Sequence, residues 1–351
     1  MELLCSQFGR DHYVRRTLIV FALLWTAALQ PAVGQSCTIK DLGTLPGGNF
    51  SRAWGINGHG QVVGEATTSD RTFSFHAFLF DDGMMVDLGT LPGGAFSIAY
   101  GINDHGQVAG FSNTTGAFAH AFLFEHGVMA DLGTLGGNSS QALAINNRGQ
   151  VVGFSDTAGS TNHAFMFENG GMTDLGTLPG GSSSGATGIN DHGQIVGFSI
   201  TAGGTNHAFL FENGGMTDLG TLPGGNSSRA TGINDQGQVV GEATTASGAS
   251  HAFLFDDGVM IDLGTLPGGD FSTATGINDR GHVVGFSSTG SGGLFHGFLF
   301  ARGVMVDLGP STDGIFNTAN GINDRGRVVG VLVTASGAGH AALCTLTRRP
   351  R

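Results

Sequence analysis

From residue 35 onward the apolar positions never settle into the 3.6-residue period of a helix. They fall into short β-branched or alternating runs bounded by Gly, Asn and Asp, the signature of strands and tight turns. Residues 230–265 show the plan. ATGIN (230–234) ends in Asn234-Asp235-Gln236-Gly237, a turn whose Gly accepts a positive φ at low cost. QVVGEA (238–243) follows, then a Ser/Thr/Gly loop, then HAFLF (251–255). Asp256-Asp257-Gly258 is a hairpin signal, and VMIDLGTL (259–266) completes the unit. Pro267-Gly268-Gly269 leads into the next copy.

The same order recurs along the chain. Asp-Leu-Gly begins at Asp41, Asp87, Asp131, Asp174, Asp218, Asp262 and Asp307. A Gly/Ala-Ile-Asn motif keeps step with it, and so does a motif opening on His76, His120, His163, His207, His251, His296 and His340. Seven units with four strands each predict an all-β fold, a seven-bladed β-propeller of four-stranded antiparallel blades. The described pattern starts with a lone fourth strand, Thr38 to Leu45, and ends on a third strand, His340 to Leu346. Pairing them closes the last blade with the N-terminal strand and removes two open edges. Either the GIN strand or the HAF strand could line the channel. The first is innermost if the PGG loop crosses between blades, the second if the Ser/Thr loop does.

The cysteines fit that closure. Cys344 occupies a position held by Phe in the other copies, and Cys37 lies four residues before Asp41, where other copies have the hairpin Gly. The two therefore sit on paired strands, within reach of a disulfide. Cys5 belongs to the opening segment. There Arg15 and Arg16 precede an apolar run from Thr17 to Leu29, Pro31 breaks it, and Ala32-Val33-Gly34 supplies small residues for cleavage. Residues 1–34 read as a secretory signal peptide, 35–346 as the propeller and 347–351 as a tail. The protein is expected outside the cytoplasm, in the periplasm or beyond it, with no transmembrane segment in the mature chain and as a monomer.

Composition narrows the functions. Gly is 63 of 351 residues, charged residues are 12%, and the formal charge is −12 with a single Lys, Lys40. This excess of acid disfavours nucleic acid as a partner. The repeated His-Ala-Phe, Asp-Leu-Gly-Thr-Leu-Pro-Gly-Gly and Gly-Ile-Asn-Asp-x-Gly-Gln-Val-Val-Gly motifs resemble the HAF family of bacterial extracellular repeat proteins. The resemblance covers about residues 37–346 and implies secretion and repeat architecture. It carries no assigned activity, ligand or catalytic residue. The last two copies depart from it at His296-Gly297-Phe298 and His340-Ala341-Ala342.

Chemistry is sparse. The seven repeated His and the seven Asp of the Asp-Leu-Gly motifs occupy equivalent places on a ring, so they read as structural rather than as a metal site. Gly181-Ser182-Ser183-Ser184-Gly185 matches a nucleophile string without the strand–turn–helix elbow that would expose the serine. Glu65 and Glu242 stand on non-neighbouring blades and are not expected to act as a pair. No cofactor, metal or catalytic residue is assigned. Binding residues are better sought where the copies differ. Before each Gly/Ala-Ile-Asn stands Trp54, Tyr100, Leu143, Thr187, Thr231, Thr275 or Asn320, and two positions earlier Arg52, Ile98, Gln141, Gly185, Arg229, Thr273 or Thr318. The Ala between them is invariant among the copies, so it faces the core and the flanking pair faces away. Trp54, Tyr100 and Arg52, with Phe50 and Phe96 in the preceding loops, form the candidate ligand cluster. The function expected is a secreted, non-catalytic binding or scaffold module for glycan or protein. A cell-envelope structural repeat and a secreted propeller enzyme, glycosidase or lyase, are the alternatives.

Overall fold

The turn signals and β-branched runs resolve into 28 strands in seven four-stranded antiparallel sheets. The computed structural model describes residues 35–68, 75–116, 118–290, 294–311 and 314–348. The segment read as an export signal lies outside the described residues, as does the end of the tail. Among the described residues no helix is long and apolar enough to cross a membrane.

The first blade is Ser51–Ile56, Val62–Thr67, Phe75–Asp81 and Met84–Asp87, in that order across the sheet. Five more blades repeat it. The seventh takes Gly314–Ile322, Arg327–Thr334 and Gly339–Arg348 from the end of the chain and Gln35–Asp41 from the beginning. The N-terminal strand thus closes the ring. The GIN strand is innermost, and the PGG loop makes the crossing. The outer strands are shorter than their motifs indicate, because the Asp carboxylate ends them. Asp87 Oδ1 accepts from the Gly89 N–H at 2.7 Å and turns the chain before Thr-Leu can extend the strand. The third and outer strands are joined by two residues at positive φ, Asp82 at 47° and Gly83 at 85° in the first blade, the twist a two-residue hairpin requires.

Buried side chains tie each blade to the next. The GIN Asn does two jobs at once. Asn190 Oδ1 accepts from the His192 and Gln194 N–H groups at 3.1 and 2.9 Å and so caps its own turn. Its Nδ2 donates to the carbonyl of Asn234 on the next blade at 3.0 Å. The inter-blade bond recurs around the ring and is closed by Asn323 donating to Asn57 at 2.9 Å. Farther out, Ser184 Oγ accepts from the Ala164 N–H at 2.8 Å and donates to the Gly176 carbonyl, stitching an inner strand to the previous blade.

Seven apolar clusters fill the spaces between blades, each around one fully buried Phe. In six of them it is the Phe of the His-Ala/Gly-Phe motif, such as Phe122 or Phe209. Between blades six and seven that position is Ala342, and Phe316 from the inner strand fills the space instead. A bulge after Phe316 turns it inward. Gly297 replaces the usual Ala for the same reason, since a Cβ there would lie 2.9 Å from the Phe316 ring. The two departures from the repeated motif are thus one compensated repacking.

Cys37 and Cys344 form a disulfide, with Cα atoms 5.5 Å apart and 307 residues between them in sequence. Cys37 lies opposite Leu346 and Cys344 opposite Ile39, so the bond runs diagonally across the closing pair of strands.

Reducing the protein, or replacing Cys37 by Ser, should lower its stability by about 2–4 kcal/mol, measured as the denaturation midpoint with and without reductant. Ala342→Phe should cost about 1–3 kcal/mol by overpacking. Combined with Phe316→Ala, it should restore part of the larger loss caused by Phe316→Ala alone. Additive losses in that cycle would contradict the exchange of one Phe for another.

Candidate functional site

Each inner strand carries a β-bulge at the same place. In the first blade Ala53 pairs with Gly64 and Gly55 with Val63, which leaves Trp54 as the extra residue. The same shift leaves Tyr100, Leu143, Thr187, Thr231, Thr275 and Asn320 unpaired in the others. A bulge re-aims the side chain it carries. Here all seven point to the axis, where they line one cavity of about 450 Å³. The Ala before each is fully buried. Gly64 and its copies are needed opposite the bulge, because a Cβ there would lie 1.9 Å from the Arg52 carbonyl oxygen.

The bulged residues differ in what they leave free. Thr187, Thr231 and Thr275 donate their hydroxyls to inner-strand carbonyls of the next blade at 2.9, 2.8 and 2.6 Å. Asn320 Nδ2 donates to the Ala53 carbonyl at 2.8 Å across the closure. Trp54 and Tyr100 instead pack on one another with ring centroids 5.2 Å apart, and Tyr100 stacks on Phe111 at 6.0 Å. Gln141, Phe154 and Arg229 complete the lining. Among the described residues the Tyr100 hydroxyl, the Gln141 amide and the Arg229 guanidinium have no hydrogen-bond or ion-pair partner.

Arg52 lies behind the aromatic pair and does not line the cavity. It is 3.7 Å from Glu65, and its guanidinium leans on Trp54 and Phe50 at 5.1 and 5.6 Å. Burial raises the pKa of Glu65, while the Arg52 charge and the neighbouring Trp54 indole oppose the rise. The indole N–H is itself buried and closes no hydrogen bond, so its influence on Glu65 is through proximity. Phe50 packs edge-on against Phe75, and Phe96 against Phe111. Of the five residues expected to bind ligand, the structure therefore brings Trp54 and Tyr100 to the cavity and sets Arg52, Phe50 and Phe96 around them as support.

Arg229 is the cavity residue whose importance the sequence comparison passed over, although it stands at the Arg52 position with Glu242 opposite it. It is reached by solvent through the cavity yet ringed by protein. Although its side chain is exposed through the cavity, partial desolvation by the surrounding protein lowers its pKa, and Glu242 counters the shift.

The seven histidines stand away from the axis, on the third strands. His76 Nδ1 is 2.8 Å from Asp87 Oδ2, and each blade repeats the pair, the last joining His340 to Asp41 at 2.7 Å. Because each Asp also holds its own turn, these pairs clamp third strand to outer strand. At the other mouth the GIN turns line a cavity of about 260 Å³. Asp104, Asp191, Asp235, Asp279 and Asp324 ring it, each giving one oxygen to a backbone N–H of the preceding blade at 2.7–2.9 Å. Burial and the neighbouring Asp carboxylates raise the pKa of Asp279. Among the described residues no group of three or more His, Cys, Asp and Glu is arranged to hold a metal ion.

Burial, with the Glu65 charge adding to it, pushes the Tyr100 pKa up to about 12 from 10.0. The folded state thus favours the protonated phenol. That contribution to stability is complete below pH 10 and is lost as the pH rises through about 12. The tyrosinate absorbance difference between the protein and its Tyr100→Phe variant should therefore rise with a midpoint near 12; a midpoint near 10 would mean a solvated hydroxyl.

No family model and no curated protein matches this chain. Solved structures do. The β-propeller domain of the Trilobed protease from Pyrococcus furiosus, described as having an open velcro topology, aligns with a TM-score of 0.57 at 10% identity, over 86% of this chain and 100% of that one. The extracellular domain of a one-component system candidate from B. thetaiotaomicron aligns with a TM-score of 0.54 at 9% identity, over 87% of this chain and 39% of that one. At such identities the likeness is one of fold: the chain is a seven-bladed β-propeller.

Proposed function

We propose that the protein is a secreted, non-catalytic binding propeller whose ligand, a glycan, enters the axial cavity at the Trp54 and Tyr100 end. One observation carries the reading. The cavity that joins all seven blades combines a pair of packed aromatic rings with three polar side chains that have no internal partner. Its volume lies in the range of small-ligand sites, and an apolar wall with a few uncommitted polar groups is how such sites hold a ligand. Sugars present an apolar C–H face for the rings and hydroxyls for Tyr100 and Gln141. Among the described residues that line this cavity none is Asp or Glu, which favours binding over the acid-pair chemistry of a glycosidase. The disulfide supports export, since such bonds persist in oxidising compartments.

A glycan and cell-wall polymer array tests the reading. The protein should retain a subset of oligosaccharides, and the Trp54→Ala, Tyr100→Ala double variant should lose them by at least roughly tenfold, as befits two aromatic anchors. No retention, or retention that the variant keeps, would remove the glycan reading.

A further inference from the structure

Arg229 is the one fully charged side chain among those lining the aromatic cavity. Its setting differs from that of Arg52, although both arise from the same register. Arg52 lies opposite Glu65 and is 3.7 Å from it. Arg229 lies opposite Glu242, yet no carboxylate among the described residues comes within ion-pair distance of it. The guanidinium instead lies over the Phe198 ring of the preceding blade, 4.5 Å from its centroid.

The neighbouring blade explains the difference. Phe198 pairs with Gly185, and a Cβ at Gly185 would lie 2.9 Å from the ring. Glycine thus leaves room for the Phe198 ring at that place, and Arg229 stacks on the ring. The blade preceding Arg52 offers Val331, with no ring, at the matching position, so Arg52 turns to its own Glu65, Trp54 and Phe50. The outcome is an arginine held by its flat face, with its N–H edge uncommitted, in a cavity that also holds the Trp54–Tyr100 pair. A guanidinium placed that way presents paired donors to a planar or tetrahedral oxyanion.

We infer that the cavity selects acidic glycans. A carboxylate or sulfate of the bound oligosaccharide is held by Arg229 on blade five, while a sugar ring lies against Trp54 and Tyr100 on blades one and two. This rests on the glycan reading and adds its charge. The protein's net charge of −12 does not oppose it, because carboxylates ring the opposite mouth and none lines this one. Glu242 is the nearest opposing charge and limits the affinity.

The test is an array of uronate, sialylated and sulfated oligosaccharides, each beside its neutral counterpart (methyl-esterified, desialylated or desulfated), with acidic peptides alongside. Titration calorimetry then follows on the best pair. The protein should bind the acidic member roughly ten- to a hundredfold tighter than the neutral one, the range of a hydrogen bond to a charged group. Arg229→Gln should abolish the acidic preference, so that the acidic and neutral members bind alike. Glu242→Gln keeps Arg229 in place and should tighten acidic binding by roughly two- to fivefold, which supplies the test if Arg229→Gln unfolds. Equal binding of acidic and neutral members overturns the proposal and leaves the glycan reading standing. An acidic preference that survives Arg229→Gln in a folded protein overturns it too. Capture of acidic peptides without glycans overturns the ligand class, and no capture at all removes both readings.

Discussion

The ring depends on one buried side chain repeated around its axis. Asn is suited to the GIN turn because its carbonyl and its amide can serve different blades. The oxygen caps the turn that carries it, and the nitrogen satisfies a carbonyl of the next blade. These atoms are cut off from water, so a missing partner would cost about 1–3 kcal/mol at each position. Asp could keep the cap but could not donate across the interface. The last bond of the series, from Asn323 to Asn57, joins the last blade to the first and completes the ring.

With the turns pinned, each inner strand approaches the axis closely, and its bulge becomes the place where blades can differ without disturbing their packing. The flanking positions are constrained: Ala faces the core, and Gly opposite the bulge leaves room for a carbonyl. The bulged residue faces the cavity and the neighbouring blade. Thr or Asn there serves as a further inter-blade link. Trp54 and Tyr100 give up that link and bring apolar surface to the axis instead. A seven-fold scaffold thereby acquires a one-sided site.

Charge is segregated along the same axis. One mouth is ringed by carboxylates whose oxygens hold backbone N–H groups, and the other contains an uncommitted guanidinium. The His–Asp pairs that dominate the sequence lie away from both mouths and hold the outer strands in place. The most repeated residues in this chain are therefore its masonry, and the axial cavity is lined at positions where the copies differ.

Four turn-bounded runs repeated seven times made a seven-bladed propeller legible, since a closed ring pairs the lone first strand with the unpartnered last one. The position before each Gly/Ala-Ile-Asn was likewise legible as variable and turned away from the core, which located Trp54 and Tyr100. Three matters required the tertiary structure. The identity of the innermost strand depends on which loop crosses between blades, and both loops are rich in the same small residues. The replacement of the Phe lost at Ala342 by Phe316 spans two strands, and local patterning assigns each residue to its own strand alone. The unlike roles of Arg52 and Arg229 depend on Val331 and Phe198 of the preceding blades, residues far from them in sequence. Local periodicity reports which way a side chain points, and only the closed ring decides what it meets there.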